Sequence, residues 1–459
     1  MKVLLVRPIS DTYIVTPPIG LGYVATAIRK AGLRPEILDC AKEKTNFDGF
    51  RKFIMDFKPD VVGFQVWSCD VPNVEKSLRI VKEINPRIIT LIGGAHPSGV
   101  PLDAMEQFKD ADFGFKGEAE VGVELLTRNF LGGAVKLEEI PGLIWRQENK
   151  VRVNHSIFVE DLDSLGFPAW DLMPPDTYPN APHQGFAMRF PTAPIVITRG
   201  CPFNCTFCAT HSINERKIRS RSVGHVIDEI KLLRDTYKVG EIHIEDDNFT
   251  FKRDFVRDFC QRLESDKIDI YWYCSSGIRI DSLDKDTINL MKKTGCYTLT
   301  VAIESGSQRV LNLMNKSLTL EKVKKGVQLM NECGFKPTGL FMIGFPGETK
   351  AEINETIEFA KSLNLKRAQF AIFHPMPGSE IFDELKKRGE LENLDWSKIK
   401  PSETAYSSVE ASKKELKKLQ RDAFLKFYMR PRIMWYQLRE VRSVGHAWFL
   451  FKRVLSMLF

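Results

Sequence analysis

The first 140 residues alternate between short apolar runs and stretches with the period of a helix. The runs lack the apolar–polar alternation of a half-exposed strand, which favours strands buried on both faces of a sheet. The predicted strands cover 3–6, 37–38, 59–66, 87–92 and 112–118, and the predicted helices cover 24–31, 74–84 and 121–130. This alternation predicts an α/β domain with a parallel, doubly wound sheet, which binds ligands at the carboxyl ends of its strands.

The same alternation returns between residues 194 and 375. Strands are predicted over 194–197, 241–248, 270–276, 298–306, 337–348 and 368–373, with a helix over 226–237. Polar residues or glycines follow most of these strands. In α/β barrels the chemistry lies at this end of the strands, so the second domain is expected to carry its reactive groups there.

Two further segments complete the chain. Residues 141–193 form a linker that opens with a short hairpin and is punctuated by prolines, and we expect Trp170 and Tyr178 to pack it between the domains. Residues 376–459 form a helical extension with helices over 379–388 and 412–427. Ser412 and Glu415 have the spacing of a capping box at the start of the second helix.

Composition narrows the class of protein. Of the 459 residues, 43% are hydrophobic and 27% are charged, as in ordinary globular proteins. The first apolar run is too short for a signal peptide, and no apolar run approaches the roughly 20 residues of a membrane span. Nine cysteines in so long a chain do not form a disulfide scaffold. Their clustering favours a metal role in a reducing compartment, the cytoplasm.

Three of the cysteines, Cys201, Cys205 and Cys208, form a CxxxCxxC motif directly after a predicted strand. A structural zinc site requires four ligands, and no fourth cysteine or histidine pair follows at finger spacing. Three thiolates suit an iron–sulfur cluster that keeps one iron open. A partial zinc site and three core cysteines are the alternatives that the spacing leaves.

The motif resembles the cluster loop of radical S-adenosylmethionine (SAM) enzymes. The resemblance implies a [4Fe-4S] cluster whose open iron binds SAM and whose electron cleaves SAM to methionine and a 5′-deoxyadenosyl radical. Asp246 and Asp247 stand where the family holds the SAM amino group, usually through Gly-Gly-Glu, and Asp247 is the preferred residue. Glu304 resembles the residue near the ribose, and Ile343 with Gly344 resembles the segment that packs on adenine.

A Pro-Pro-x-Gly-Leu helix start, a Gly-Gly-x-His-Pro turn and a Gly-Glu-x-Glu turn precede the cysteines in this order. This order of motifs resembles the cobalamin-binding domain of class B radical SAM enzymes. The resemblance implies cobalamin contacts at Pro18, Gly20, Gly93, Gly94 and Gly117. The chain lacks the Asp-x-His-x-x-Gly motif of methionine-synthase-like proteins. His96 is not expected to bind cobalt.

Two cysteines in the first domain, Cys40 and Cys69, are too few for the second cluster of methylthiotransferases. We expect both to be buried as small apolar residues.

The family resemblance implies a cobalamin-dependent enzyme that methylates an unactivated carbon of a small-molecule or lipid-like substrate. The methyl group would pass from one SAM through cobalamin, and a second SAM would supply the radical. The partner would be a low-potential electron donor such as flavodoxin or ferredoxin. A non-methylating cyclase or carbon–carbon bond-forming enzyme, with or without cobalamin, is the alternative. A non-catalytic metal-binding module is a third.

The tail from Lys426 onward is aromatic and basic. This pattern fits a peripheral contact with the inner membrane face, or a helical cap on the barrel or a dimer contact. Nucleic acid is not expected as a partner because no basic run interleaves with a known binding module.

Overall fold

The computed structural model describes residues 1–12, 15–148, 150–180, 187–400, 403–408 and 410–439. Its N-terminal domain is built on a sheet in the order β2-β1-β3-β4-β5-β6-β7, of which the first five strands are parallel. The strands are β1 (Val3–Arg7), β2 (Pro35–Asp39), β3 (Val61–Gln65), β4 (Ile89–Gly93), β5 (Phe113–Phe115), β6 (Leu143–Gln147) and β7 (Lys150–Val153). The predicted parallel, doubly wound sheet is confirmed.

Helices cover both faces of this sheet. They are α1 (Ile19–Lys30), α2 (Phe47–Phe57), α3 (Val71–Ile84), α4 (Ala95–Gly99), α5 (Pro101–Gln107) and α6 (Glu120–Phe130). One core joins α2, α3 and α5 to the sheet through residues such as Phe50 and Leu78, and another joins α1 and α6 through Ile28 and Leu126. Buried aliphatic strands between two helical layers explain why the runs lack alternation.

The boundary at residue 140 requires a correction. Strands β6 and β7 form the predicted hairpin, but β6 pairs antiparallel with β5 and extends the N-terminal sheet. The irregular linker therefore begins after Val153. Trp170 and Tyr178 anchor this linker as expected, because both are buried and the Tyr178 hydroxyl donates to Asp39 Oδ2 at 3.1 Å.

The second domain is a partial barrel of six parallel strands. The strands are β8 (Thr192–Ile195), β11 (Glu241–Ile244), β12 (Tyr271–Cys274), β13 (Thr300–Glu304), β14 (Thr338–Ile343) and β15 (Arg367–Ile372), with a short antiparallel pair, β9 (Thr198–Arg199) and β10 (Arg219–Ser220), beside β8. They form two arcs, β8-β11-β12 and β13-β14-β15, that isolated bridges such as Ile278 to Val301 connect.

Helices cover the outside of the barrel. They are α8 (Val223–Tyr237), α9 (Arg253–Ser265), α10 (Lys285–Lys293), α11 (Gln308–Leu313), α12 (Leu320–Glu332) and α13 (Lys350–Ser362), whereas the short α7 (Thr210–Ile213), between β9 and β10, contacts α4 of the N-terminal domain. Alternate strand residues such as Ile242 and Ile244 pack beneath them, while Glu241 and His243 face the opposite side, inside the barrel. The predicted partial (β/α)6 barrel is confirmed.

The extension contains α14 (Glu380–Lys387), α15 (Lys413–Tyr428) and α16 (Pro431–Arg439). Ser412 and Glu415 form the predicted capping box of α15. This helix packs along β15, and the Tyr428 hydroxyl donates to the carbonyl oxygen of Ala368 at 3.0 Å. The tail after Arg439 lies outside the described residues. Within the described part of the chain, no helix is long and apolar enough to cross a membrane.

Buried ion pairs join the two domains. Arg219 of β10 donates through both terminal nitrogens to Glu118, which follows β5. Arg199 of β9 donates to Glu120 at 2.7 Å. The side chains of Arg219 and Glu118 are 1% and 3% exposed, so neither charge can be satisfied by bulk water.

We predict that Arg219→Ala lowers the free energy of unfolding by about 3–5 kcal/mol, because it leaves Glu118 buried without its main partner. Urea unfolding followed by tryptophan fluorescence measures the change. Lys217→Ala is the matched control two residues away, since its pair with Glu160 is 60% and 66% exposed. Lys217→Ala is expected to lower the free energy of unfolding by no more than about 1 kcal/mol. If Arg219→Ala and Lys217→Ala lost equal amounts of unfolding free energy, the buried Arg219–Glu118 pair would not have the stabilising role proposed for it.

Candidate active site

The loop of Cys201, Cys205 and Cys208 connects β9 to α7, and it is fixed by backbone hydrogen bonds to more distant segments. Thr206 N donates to Met314 O at 3.0 Å, and Cys201 N donates to Glu215 O at 3.3 Å. These bonds hold the loop against the segment after α11 on one side and the segment after α7 on the other.

The three thiols are free, partly buried and close enough to affect one another. Burial raises the pKa of Cys201 and Cys205, and the charge of Cys208 raises both further. Among the described residues, no three His, Cys, Asp or Glu side chains converge on a point that holds a single metal ion. A cluster needs a wider set, because each thiolate binds a different iron. Cys201, Cys205 and Cys208 stay the predicted cluster ligands.

Two adjacent carboxylates at the end of β11 have different surroundings. Asp246 is buried and accepts from Ile197 N at 2.7 Å and from Thr198 N at 2.8 Å, and burial raises its pKa to about 7. Asp247 points toward the cysteine loop and accepts from Gly200 N at 3.1 Å. Burial raises the pKa of Asp247. Asp246 therefore fastens the strand ends together, whereas Asp247, which also accepts from Asn214 Nδ2 at 2.8 Å and Thr210 Oγ1 at 3.2 Å, is the carboxylate that lies beside the loop.

Glu304 lies at a bulge at the end of β13, with a φ of 71°. Its Oε1 accepts from Lys316 Nζ at 2.7 Å, and Lys316 is 7% exposed. Burial acts to lower the pKa of Lys316, but the charges of Glu304 and Cys205 and the hydrogen bond to Glu304 together outweigh it, and the pKa is raised. The charge of Lys316 also acts on the Cys205 thiol. No sequence motif includes Lys316, so the sequence alone does not predict its place beside the loop.

The predicted adenine segment at the end of β14 is tightly packed. Ile343 is fully buried in the core beneath the helices, whereas the neighbouring Met342 packs against a separate apolar cluster, as does Phe207 of the cysteine loop. A Cβ on Gly344 would lie 2.8 Å from the side chain of Leu416 in α15. Ile343 and Gly344 therefore present only backbone to the barrel interior, and Met342 is the side chain on that face.

Four of the five predicted cobalamin residues lie at the strand-end edge of the N-terminal sheet. Pro18 is the buried N-cap of α1. A Cβ on Gly20 would have only Gln65 Nε2 nearby, at 3.7 Å, and a Cβ on Gly93 only Phe115 Cβ, at 4.0 Å. Gly94 has a φ of 108°. The space directly above Gly20 and Gly93 is open, and we call this edge, with Pro18, Gly94 and Gly117, the cradle.

The fifth residue, Gly117, lies where this edge meets the cysteine loop. Its N–H donates to Ser98 Oγ at 3.0 Å, and a Cβ on it would lie 3.5 Å from Ile213 O in α7. Trp67 also lies at this edge, two residues after β3, and is 51% exposed. The hydrophobic pattern had not marked Trp67, because an exposed ring is visible only in the fold.

The His96 side chain is buried and is not exposed at this edge. Its ring is 1% exposed, lies 4.9 Å from the ring of Trp396 and has Nδ1 at 3.2 Å from Ser68 Oγ. Burial lowers its pKa to about 4. The ring is therefore a packed, neutral imidazole, in agreement with the expectation that it does not bind cobalt.

Of the two N-terminal cysteines, Cys40 is buried as predicted. Cys69 is only partly buried, so the expectation is wrong for this residue. Burial raises the pKa of both thiols.

Comparison with known proteins finds two sequence families. The radical SAM superfamily matches residues 195–360, and the B12 binding domain matches residues 9–127. An uncharacterized methyltransferase of Pyrococcus horikoshii is 30% identical, with 99% of this chain and 97% of that protein aligned.

Two further relatives differ in the reactions they are named for. Cytidylyl-2-hydroxyethylphosphonate methyltransferase of Streptomyces wedmorensis is 30% identical over 84% of this chain and 82% of its own length. Anaerobic magnesium-protoporphyrin IX monomethyl ester cyclase of Rubrivivax gelatinosus is 27% identical over 82% and 67%. Among solved structures, the cobalamin-dependent SAM radical enzyme OxsB shares the fold at a TM-score of 0.75 and 17% identity, over 99% of this chain and 70% of that one.

The buried imidazole generates a prediction about acid stability. With a pKa of about 4 when folded and about 6.5 when unfolded, His96 binds more protons in the unfolded state between these pH values. The contribution of His96 to the free energy of unfolding is complete above pH 6.5. It is lost as the pH falls toward 4, by about 1.4 kcal/mol per pH unit. From pH 7 to pH 5, we expect His96→Gln to lose about 2 kcal/mol less stability than the parent in urea unfolding of the apoprotein.

His155→Gln is the control, because it removes an exposed imidazole, and it should keep the pH dependence of the parent. A parent-like slope in His96→Gln would show that His96 is not the group responsible.

Proposed function

We propose a reaction from the premise that this chain belongs to the cobalamin-dependent radical SAM enzymes: it transfers a methyl group from SAM to an unactivated carbon of a small-molecule or lipid-like substrate. One observation carries the proposal. The loop of three thiols, Asp247 and the Glu304–Lys316 pair meet at one end of the barrel, and Gly117 at the edge of the N-terminal sheet lies close to Ile213 of α7, the helix that follows the loop.

The family's cofactors are a [4Fe-4S] cluster, SAM and cobalamin. When bound, the cluster supplies the electron that cleaves SAM, and cobalamin supplies the methyl group. Cys201, Cys205 and Cys208 would hold the cluster through three of its irons. The hydrogen bonds of Thr206 and Cys201 keep that loop in place.

The charges beside the loop match the methionine end of SAM. Asp247 is a carboxylate opposite which an ammonium group is stabilised, and Lys316 is a buried cation opposite which a carboxylate is stabilised. Glu304 orients Lys316 and, as in the family, would lie near the ribose. The backbone of Ile343 and Gly344 would pack on adenine, with Met342 as the neighbouring side chain.

The cradle at Pro18, Gly20, Gly93, Gly94 and Gly117 would hold cobalamin. The open space above Gly20 and Gly93 supports this proposal, because a cofactor could approach the backbone there. The substrate carbon would lie between the cradle and the barrel opening, so that hydrogen removal and methyl delivery reach the same atom.

A non-methylating cyclase is the second candidate, which the similarity to the Rubrivivax cyclase favours. The two reactions need the same cofactor residues and differ in whether the methyl carbon of SAM enters the product. A low-potential flavodoxin or ferredoxin would deliver the electron in the cytoplasm.

The protein is reconstituted anaerobically with iron, sulfide and hydroxocobalamin, and 5′-deoxyadenosine is measured after reduction in the presence of SAM. We expect bound cobalamin and 5′-deoxyadenosine from the parent, and loss of 5′-deoxyadenosine from Cys205→Ala, which leaves an iron without its thiolate. Cys260→Ala removes a buried cysteine of the barrel core and is the control.

SAM with a deuterated methyl group then separates the candidates in incubations with a cell extract. A product that carries the label supports methyl transfer, and a product without it supports the cyclase. A parent that retains no cobalamin would reject methyl transfer through cobalamin and would leave the cyclase that works without cobalamin.

We predict that Lys316→Gln raises the Kd for SAM by about tenfold or more, because a hydrogen bond to a charged group contributes about 1.5–3 kcal/mol. The iron content of the reconstituted protein should remain at the parent level. Lys322→Gln, which removes an exposed cation 3.9 Å from Asp281, is the control. Equal SAM affinity in Lys316→Gln and the parent would remove Lys316 from the proposed site.

A further inference from the structure

We infer that the C-terminal helices α15 and α16 bind the protein to an anionic lipid bilayer, and that one exposed apolar stripe on α16 enters the bilayer surface. The inference concerns where the enzyme works, and it does not depend on methyl transfer. It takes the peripheral membrane contact expected from the sequence and assigns it to particular described residues.

Helix α16 has two apolar faces. On one face Ile433 is fully buried and Tyr436 packs against the main core, while Gln437 Nε2 donates to Lys366 O at 3.2 Å. This face accounts for the docking of the helix on the barrel.

The opposite face is the exposed stripe, formed by Met434, Trp435 and Leu438. These side chains are 43%, 57% and 65% exposed. Their spacing of one and three residues places them side by side on the helix surface. A single exposed hydrophobic residue needs no explanation, but a contiguous stripe marks a surface that another apolar phase covers.

The charge of the segment that carries the stripe indicates what kind of apolar surface would cover it. Residues 413–439 contain nine Lys and Arg residues against Glu415 and Asp422, a net charge of +7 that equals the charge of the whole chain. The remaining residues are therefore neutral in sum. This concentration of cations is complementary to an anionic surface rather than to a generic partner.

The positions of individual cations agree with a bilayer. Arg432 and Arg439 lie seven residues apart along one edge of the stripe, and the Arg439 guanidinium lies 5.4 Å from the Trp435 ring centroid. In an interfacial helix the tryptophan and aliphatic side chains enter the acyl boundary, and neighbouring cations meet the headgroups. Nucleic acid would match the cations but would leave the Met434 and Leu438 side chains in water.

The test is sedimentation of the reconstituted full chain with vesicles of phosphatidylcholine, with and without phosphatidylglycerol. We expect binding to the anionic vesicles to be at least about tenfold stronger than to the neutral ones, and to weaken as salt is added. The triple variant Met434→Ser, Trp435→Ser and Leu438→Ser should lose at least about tenfold of this binding.

The control is a second triple variant, Met55→Ser, Leu102→Ser and Leu131→Ser. It removes three hydrophobic side chains of the N-terminal domain that are 54%, 52% and 50% exposed. The control should bind vesicles as the parent does. Both triple variants should still cleave SAM, which shows that they are folded and separates this inference from the proposed reaction.

Three results would overturn the inference. The first is that the parent does not bind anionic vesicles. The second is that the stripe variant binds them as well as the control variant does. The third is that the parent is a dimer in solution and the stripe variant is a monomer, which would assign the stripe to a second copy of the chain.

Discussion

The buried charges between the two α/β domains are the constraint on which the candidate site depends. Arg199 and Arg219 come from the two short strands that flank the cysteine loop, and they reach Glu118 and Glu120 of the N-terminal domain. A buried charge that loses its partner costs several kcal/mol. The domains therefore cannot rotate against each other without breaking the pairs, and the cysteine loop and the strand-end edge face each other in one arrangement. The residues that frame the loop are thus also the residues that join the domains.

The hydrophobic pattern predicted the strands well because each is an apolar run that must lie between two helical layers. It did not predict α2 (Phe47–Phe57), in which only Phe50 and Ile54 are buried although apolar residues occur on more than one side of the helix. The predicted domain boundary at residue 140 was wrong for a different reason. The hairpin over β6 and β7 is visible locally, but its pairing with β5 joins residues about thirty positions apart. Local periodicity carries no information about which edge a hairpin will extend.

Within the site, motifs predicted positions but not orientations. Asp246 and Asp247 are neighbours in sequence, and only the fold shows that one fastens strand ends while the other faces the loop. Met342 and Ile343 alternate in the same way, so the side chain on the interior face differs from the residue that the motif names. Lys316 follows Glu304 by twelve residues and meets it only because a helix and a turn return the chain to the strand end.

The C-terminal extension gives a second attachment between the domains, on the side of Trp396. This ring covers His96, and Lys386 pairs with Asp103 of the N-terminal domain. The extension therefore has a structural role before any membrane role: it helps to bury the His96 ring near the strand-end edge. Because this imidazole is packed against Trp396, its side chain is not exposed to a ligand at that edge. The cobalamin site proposed at Pro18, Gly20, Gly93, Gly94 and Gly117 therefore does not use His96. The same segment also continues into α15 and α16, so attachment of these helices to a surface would hold both domains as one body.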